Sequence, residues 1–195
     1  MSRLRPWLIV GAAVLMAGAL VWLILSEHRA RAEGTQVALV LEGVDPRSLL
    51  SGHYVQLEMR DTLPTGAPCP KNLDPPAVGP GRWVALKSEN GRGRVVGATD
   101  SLDAARRLAP IAVRGTARCF DLNGDRAVVW LDIGLDRFHA SQKEAEAIEA
   151  ALRASRSETP TAFALVSVGR DGRARLLGIE VEGRRILLDW FAPAR

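Results

Sequence analysis

The chain has 195 residues, 47% of them hydrophobic and 25% charged, and a formal net charge of +4, which fits one ordinary domain with an appendage. Arg3 and Arg5 precede an apolar segment, so from Glu27 onward 24 Lys and Arg stand against 22 Asp and Glu. That near balance argues against a nucleic-acid partner, and the excess of arginine over the three lysines, Lys71, Lys87 and Lys143, fits a GC-rich coding sequence better than a binding surface.

From Trp7 to Leu25 no residue is charged, and a helix of that length just spans a hydrocarbon core of about 30 Å. Residues 1–26 are therefore read as a transmembrane signal-anchor that meets the lipid bilayer through residues 7–25. Trp7 and Trp22 lie near its ends, where aromatic rings favour the interface, and Pro6 suits a first helical turn. Arginines flank both ends, Arg3 and Arg5 against Arg29 and Arg31, so charge does not set the orientation. The very short N-terminal tail favours the N-terminus inside and the remainder outside. A cleavable signal peptide is the rival reading, because Ala30-Arg31-Ala32 has the small-x-small form of a cleavage site, although the apolar stretch exceeds the usual length for one.

Residues 27–34, charged and without periodicity, read as a tether, and residues 35–195 as one extracytoplasmic domain. Strand signals follow at Thr35–Glu42 and at 53–60, where Val55, Leu57 and Met59 alternate with polar residues. Six prolines between residues 61 and 81 mark a loose excursion. Asn90-Gly91 marks a hairpin between strands near 83–86 and 94–97. Residues 101–109 read as a short helical or irregular link, 111–120 and 127–133 as strands around Asp121-Leu122-Asn123-Gly124-Asp125, and the end of the chain as three strands at 162–168, 173–181 and 184–190. The one convincing helix starts at Ser141, with Glu144 placed for a capping box and Ala145, Ile148 and Leu152 as its apolar stripe. This pattern predicts a mainly β fold with one clear helix, an antiparallel barrel or sandwich, preceded by the transmembrane helix.

Cys69 and Cys119 would lie in an oxidising compartment, and the sequence leaves both a disulfide and two separate buried thiols open. The run from Asp121 to Asp125 has alternating oxygen ligands, but Arg126 stands where a calcium loop needs glycine, so a hairpin turn is expected. No GxSxG occurs, none of His28, His53 and His139 has the context of a catalytic base, and no zinc set is apparent. Signal-peptidase-like enzymes also carry an N-terminal anchor before a Gly-Asp strand, but Val44 stands where their serine would fall. No catalytic, cofactor-binding or metal-binding residue is therefore assigned.

Gly52-His53-Tyr54-Val55-Gln56-Leu57-Glu58-Met59 resembles the motif that names the GDYXXLXY family of membrane-anchored proteins. Gly52, Tyr54 and Leu57 match; His53 occupies the Asp position and Met59 that of the second Tyr. Asp45-Pro46-Arg47, with Leu49 and Leu50, is similar to the family's lead-in, and the likeness continues through GRWVALKSENGRGRVVG, RFHASQKEAEAIEAAL and VSVGRDGRARLLGIEVEG. With His53 in place of Asp, no carboxylate is available there as acid, base or ligand. The resemblance implies one N-terminal membrane segment and genes that lie beside those of polytopic membrane proteins, and no cofactor is expected. The expected role is a non-catalytic accessory or interaction module for such a partner in the bacterial inner (cytoplasmic) membrane. The alternative is a small-ligand binder or hydrolytic enzyme with a cleft near the proline-rich loop.

Overall fold

The computed structural model describes residues 4–43, 54–70, 73, 83–121, 126–139, 148, 150 and 160–188. Helix α1 (Leu4–Glu33) has 30 residues, about 45 Å at 1.5 Å per residue. It carries a stretch long and apolar enough to cross a membrane, none of it buried against the protein. Residues 27–33, expected as an aperiodic tether, are the last two turns of this helix, and only Gly34 separates it from the first strand. The reason is tertiary: the domain itself holds these turns in helical form through contacts described below.

The strands are β1 (Thr35–Gly43), β2 (Tyr54–Thr62), β3 (Trp83–Glu89), β4 (Arg92–Thr99), β5 (Ile111–Arg114), β6 (Thr116–Asp121), β7 (Ala127–Asp132), β8 (Arg137–His139), β9 (Ala162–Val168), β10 (Ala174–Val181) and β11 (Arg184–Leu187), with helix α2 (Leu102–Leu108) between β4 and β5. The fold is mainly β, as the alternation of apolar residues requires. One hydrogen-bonded path runs β11-β10-β9-β1-β2-β7-β6, with β4, β3 and β5 branching from β1 and β8 from β2. The sheet is open, because its end strands β11 and β6 do not pair with each other among the described residues. Of the two architectures expected, the sandwich fits and the closed barrel does not.

β1 is the seam of this arrangement. Residues Thr35–Val40 pair antiparallel with β9, Leu41–Gly43 pair antiparallel with β2, and Ala38 meets Arg92 of β4 in a parallel contact. Val37, Leu39 and Leu41, at alternate positions, all point into the core between the layers. Val166 and Ile179 of β9 and β10 flank them in the same sheet, and Leu86 of β3, Val113 of β5 and Val129 of β7 join the same buried cluster.

The segment 111–120, read from sequence as one strand, is two. β5 pairs with β3 and β6 with β7, and the chain crosses between layers at Gly115, where a Cβ would run into the Asp132 carbonyl. The Asn90-Gly91 hairpin has both residues at positive φ (54° and 80°), the conformation of a two-residue turn matched to strand twist. Glu182-Gly183 repeats that device between β10 and β11. Asp121 pairs with Ala127, so β6 and β7 form a hairpin whose residues 122–125 lie outside the described ones. The helix expected from Ser141 also lies outside them, apart from Ile148 and Ala150; Ile148 is helical and buried in the core.

The proline-rich excursion is tied down where it is described. Leu63 donates its amide to Ala127 at 2.9 Å, Leu73 is buried in the core, and Cys69 is disulfide-bonded to Cys119 of β6 with Cα atoms 5.8 Å apart. Cross-linking residues separated by 50 positions restricts the unfolded chain by about 4 kcal/mol in the loop-entropy model. Reducing the bond in the detergent-solubilised protein is expected to lower its unfolding free energy by about that amount in a urea titration; a loss below about 1 kcal/mol would mean that packing alone holds the excursion.

Candidate functional site

Of the family-motif residues, Asp45, Pro46, Gly52 and His53 lie outside the described residues. Tyr54 opens β2, its backbone paired with His139 of β8. Leu57 is buried in the core and donates its amide to the Asp136 carbonyl at 2.9 Å. β2 is thus gripped on both edges, by β1 on one side and by β8 and then β7 on the other. Leu57 therefore acts as a packing residue at the centre of its layer.

Residues paired across strands share a face, and the outward row over this layer is Arg60, Trp130 and Arg118, from β2, β7 and β6. Trp130 remains 42% exposed and Phe120 46%. Their rings meet edge to face at 6.0 Å, and the Arg60 guanidinium lies 5.2 Å from the Trp130 ring centre while it ion-pairs with Glu42. Such cation–π and edge-to-face contacts hold the aromatic side chains in place without covering them. Beside them lies a cleft of about 360 Å³ whose floor includes Leu57 and Leu131 and whose rim carries Glu58, Arg118, Trp130, Asp132 and Asp136. Its lining offers a hydroxyl at Thr116 and three carboxylates but no His, Lys or Cys among the described residues. The arrangement suits recognition of a surface with mixed charge and apolar character.

A second cluster joins α1 to the domain. Arg175 on β10 is only 7% exposed, and its guanidinium donates to the Glu27 carboxylate of α1 at 2.7 Å and to Asp171 at 3.1 and 3.2 Å. The fully buried Ser167 hydroxyl donates to the Arg31 carbonyl at 2.8 Å, satisfying an acceptor at the end of α1. Gly34 permits this approach, since a Cβ there would overlap Ser167 Oγ and crowd the Val168 carbonyl at 3.1 Å. Hydrogen bonds from Arg175 hold the Asp171 carboxyl below its ordinary pKa, against the smaller opposing effect of burial. The bonds to Asp171 and Glu27 in turn hold the Arg175 guanidinium protonated.

Asp61 on β2 behaves oppositely. Burial raises its pKa, partly offset by the Arg94 guanidinium and reinforced by Glu89, and its Oδ2 is buried without a hydrogen-bond partner.

Sequence reasoning did not single out Arg175, Asp171, Glu27 or Ser167. The one signal was an arginine within the apolar run Ala174–Val181, which by itself does not say what pairs with it. Trp130 sits at an outward position of Ala127–Asp132, but its company with Arg60 and Phe120 depends on strand order. A family model described as GDYXXLXY protein matches residues 16–179. No curated protein and no solved structure matches the chain.

The two aspartates should give opposite pH signatures. Asp171, with its folded pKa depressed, contributes stability that is complete above the usual carboxylate pKa of about 4 and is lost as pH falls through its lower folded value. Asp171→Asn is therefore expected to lower the urea midpoint at neutral pH and to converge with the parent protein in acid. Asp61, with its folded pKa raised, disfavours folding once ionised, so Asp61→Asn should raise the midpoint at neutral pH and change little in acid. For the junction, Arg175→Gln is expected to speed trypsin cleavage after Arg29 and Arg31 by roughly tenfold, because local opening is no longer opposed by the ion pairs; an unchanged rate would show that the last turns of α1 stand without them.

Proposed function

Because this chain belongs to the GDYXXLXY family, we propose that it is a single-pass membrane-anchored protein whose extracytoplasmic domain is a non-catalytic docking module for a polytopic membrane protein. The observation that carries this reading is the exposed Trp130–Phe120 pair between Arg60 and Arg118. Buried, well-held aromatic and arginine side chains dominate the binding energy of protein interfaces, and an exposed face already holding them in fixed rotamers loses little entropy on docking.

Three further observations support the anchor and its side. The apolar residues of α1 have no protein covering, as a lipid-facing helix requires. Its end is joined to the domain through Glu27 and the Arg31 carbonyl, so cleavage after Ala32 would cost Arg175 one of its two carboxylates and Ser167 its acceptor. The Cys69–Cys119 disulfide favours an oxidising compartment, hence the domain outside the cytoplasm. The second reading, a small ligand held over Leu57, draws on the cleft beside Trp130.

A fusion carrying an export-dependent reporter after Arg195 and a photoreactive residue at position 130 tests these points together. The expected result is a full-length, active fusion that yields, on irradiation of intact membranes, an adduct with a multispanning protein. A photoreactive residue at Leu187, exposed on the edge strand β11, should yield none. An inactive reporter would place the domain in the cytoplasm. Absence of the adduct from position 130 would favour the ligand reading.

A further inference from the structure

The junction between α1 and the domain fixes more than an orientation. Glu27 follows the last apolar residue, Leu25, by two positions, about 3 Å along the helix. The headgroup layer on each side of a bilayer is about 5–7 Å thick. Arg175 bonds Glu27 at 2.7 Å and Asp171 at 3.1 Å, so the Asp171 carboxylate lies within the span of one guanidinium from Glu27. Asp171 belongs to the turn between β9 and β10, so this turn, with Arg170 and Arg173 exposed on it, is brought down to the headgroup layer beside α1.

The turn is built to stay there. Gly172 at φ 70° packs against the Trp83 ring so closely that a Cβ would strike it, and its carbonyl accepts from the Arg114 amide at 2.8 Å. Arg106 in the last turn of α2 donates to the Arg170 carbonyl at 2.6 Å, which brings that end of α2 to the same place. The α2 carboxylate Asp103 lies in the opposite, first turn. Arg29 and Arg31 add the charges of α1 itself. The carboxylates at this level, Glu27 and Asp171, are both engaged by the buried Arg175, with Arg31 at 3.8 Å from Glu27 and Arg173 at 3.9 Å from Asp171 as looser, more exposed partners, and Glu33 stands six residues further up the helix from Glu27.

We infer that Arg106, Arg170 and Arg173 form, with Arg29, a basic collar that binds the phosphate groups of anionic lipids in the leaflet from which α1 emerges. The occupant is a lipid and not a second protein because the collar is held at bilayer height by the same chain that crosses the bilayer, so headgroups are present at high effective concentration. Long arginine side chains reach phosphate while their stems lie along the interface, and the guanidinium fork matches phosphate oxygens. The collar is distinct from the aromatic face at Trp130, and it rests on the reading of α1 as membrane-spanning.

The test uses the full chain reconstituted in bilayers of equimolar phosphatidylglycerol and phosphatidylcholine. Discs are excised with an amphipathic polymer and their lipids quantified. The parent protein is expected to carry phosphatidylglycerol enriched about threefold over the bulk bilayer at low salt, with the enrichment falling at high salt. The triple variant Arg106→Gln, Arg170→Gln, Arg173→Gln should lose most of it, and the corresponding triple Lys variant, which keeps the charge, should retain it. A chain that fails to enter the discs refutes the anchor itself. Equal enrichment in the Gln variant and the parent protein, or none in either, overturns the collar. So does a Gln variant that loses the Trp130 photoadduct while its lipid enrichment stays intact, because the arginines would then serve a protein partner.

Discussion

Burying a guanidinium costs several kcal/mol unless its charge is met by well-placed acceptors. Arg175 meets that demand with two carboxylates from different parts of the chain, Asp171 in the adjacent turn and Glu27 on the helix that precedes the domain. If the helix swung away, Arg175 would lose the Glu27 carboxylate and keep only Asp171 against its buried charge. The last turns of α1, the start of β1 and the β9–β10 hairpin are therefore one mechanical unit. The remaining architecture is set out from that point, since β1 begins at Thr35 opposite Val168, directly above the joint.

The domain then divides its layers along β1. One strand serves β9 with its first half and β2 with its second, and it touches β4 at Ala38. A strand shared in this way buries one face over its middle, and Val37, Leu39 and Leu41 do so. Gly115 performs the complementary crossing on the far side, where β5 hands the chain to β6. On the outer face of the β2–β7–β6 layer the described contacts are the Arg60–Glu42 ion pair and the packing of Arg60, Trp130 and Phe120 on one another. Trp130 and Phe120 are exposed there at the expense of apolar surface left in water, which is the kind of cost a binding face carries. Asp61 sits with an unpaired buried oxygen on the inner side of the same strand, a local cost to folding that the core offsets.

Local patterns made much of this legible. The uncharged run from Trp7 to Leu25 needs only composition to be recognised, and period-2 alternation marks β2 because Leu57 and Met59 on one face of that strand are buried. Asn90-Gly91 announces its turn because few other residues tolerate that backbone. The motif residues Gly52, Tyr54 and Leu57 identify the family from sequence; the structure adds that Leu57 packs in the core. Where local pattern misled, a distant contact had replaced it. Residues 27–33 have no amphipathic stripe to signal a helix, yet Glu27 and the Arg31 carbonyl are held from 148 and 136 positions away. The proline-rich segment has no periodicity, and its anchorage depends on Cys119 lying across the layer.

The sequence by itself determined the segment long and apolar enough to cross a membrane, the β character of the domain and most of its turns, since each follows from the composition or period of a short window. It also carried the family, through motif order. The tertiary structure alone decided that β1 is shared between layers, that Cys69 reaches Cys119, that Trp130 stands between two arginines, and that Arg175 locks the helix to the domain. Each of these is a meeting of residues far apart in the chain, and which partner a strand edge or a buried charge finds is set by the closure of the whole core, a quantity that no local window contains.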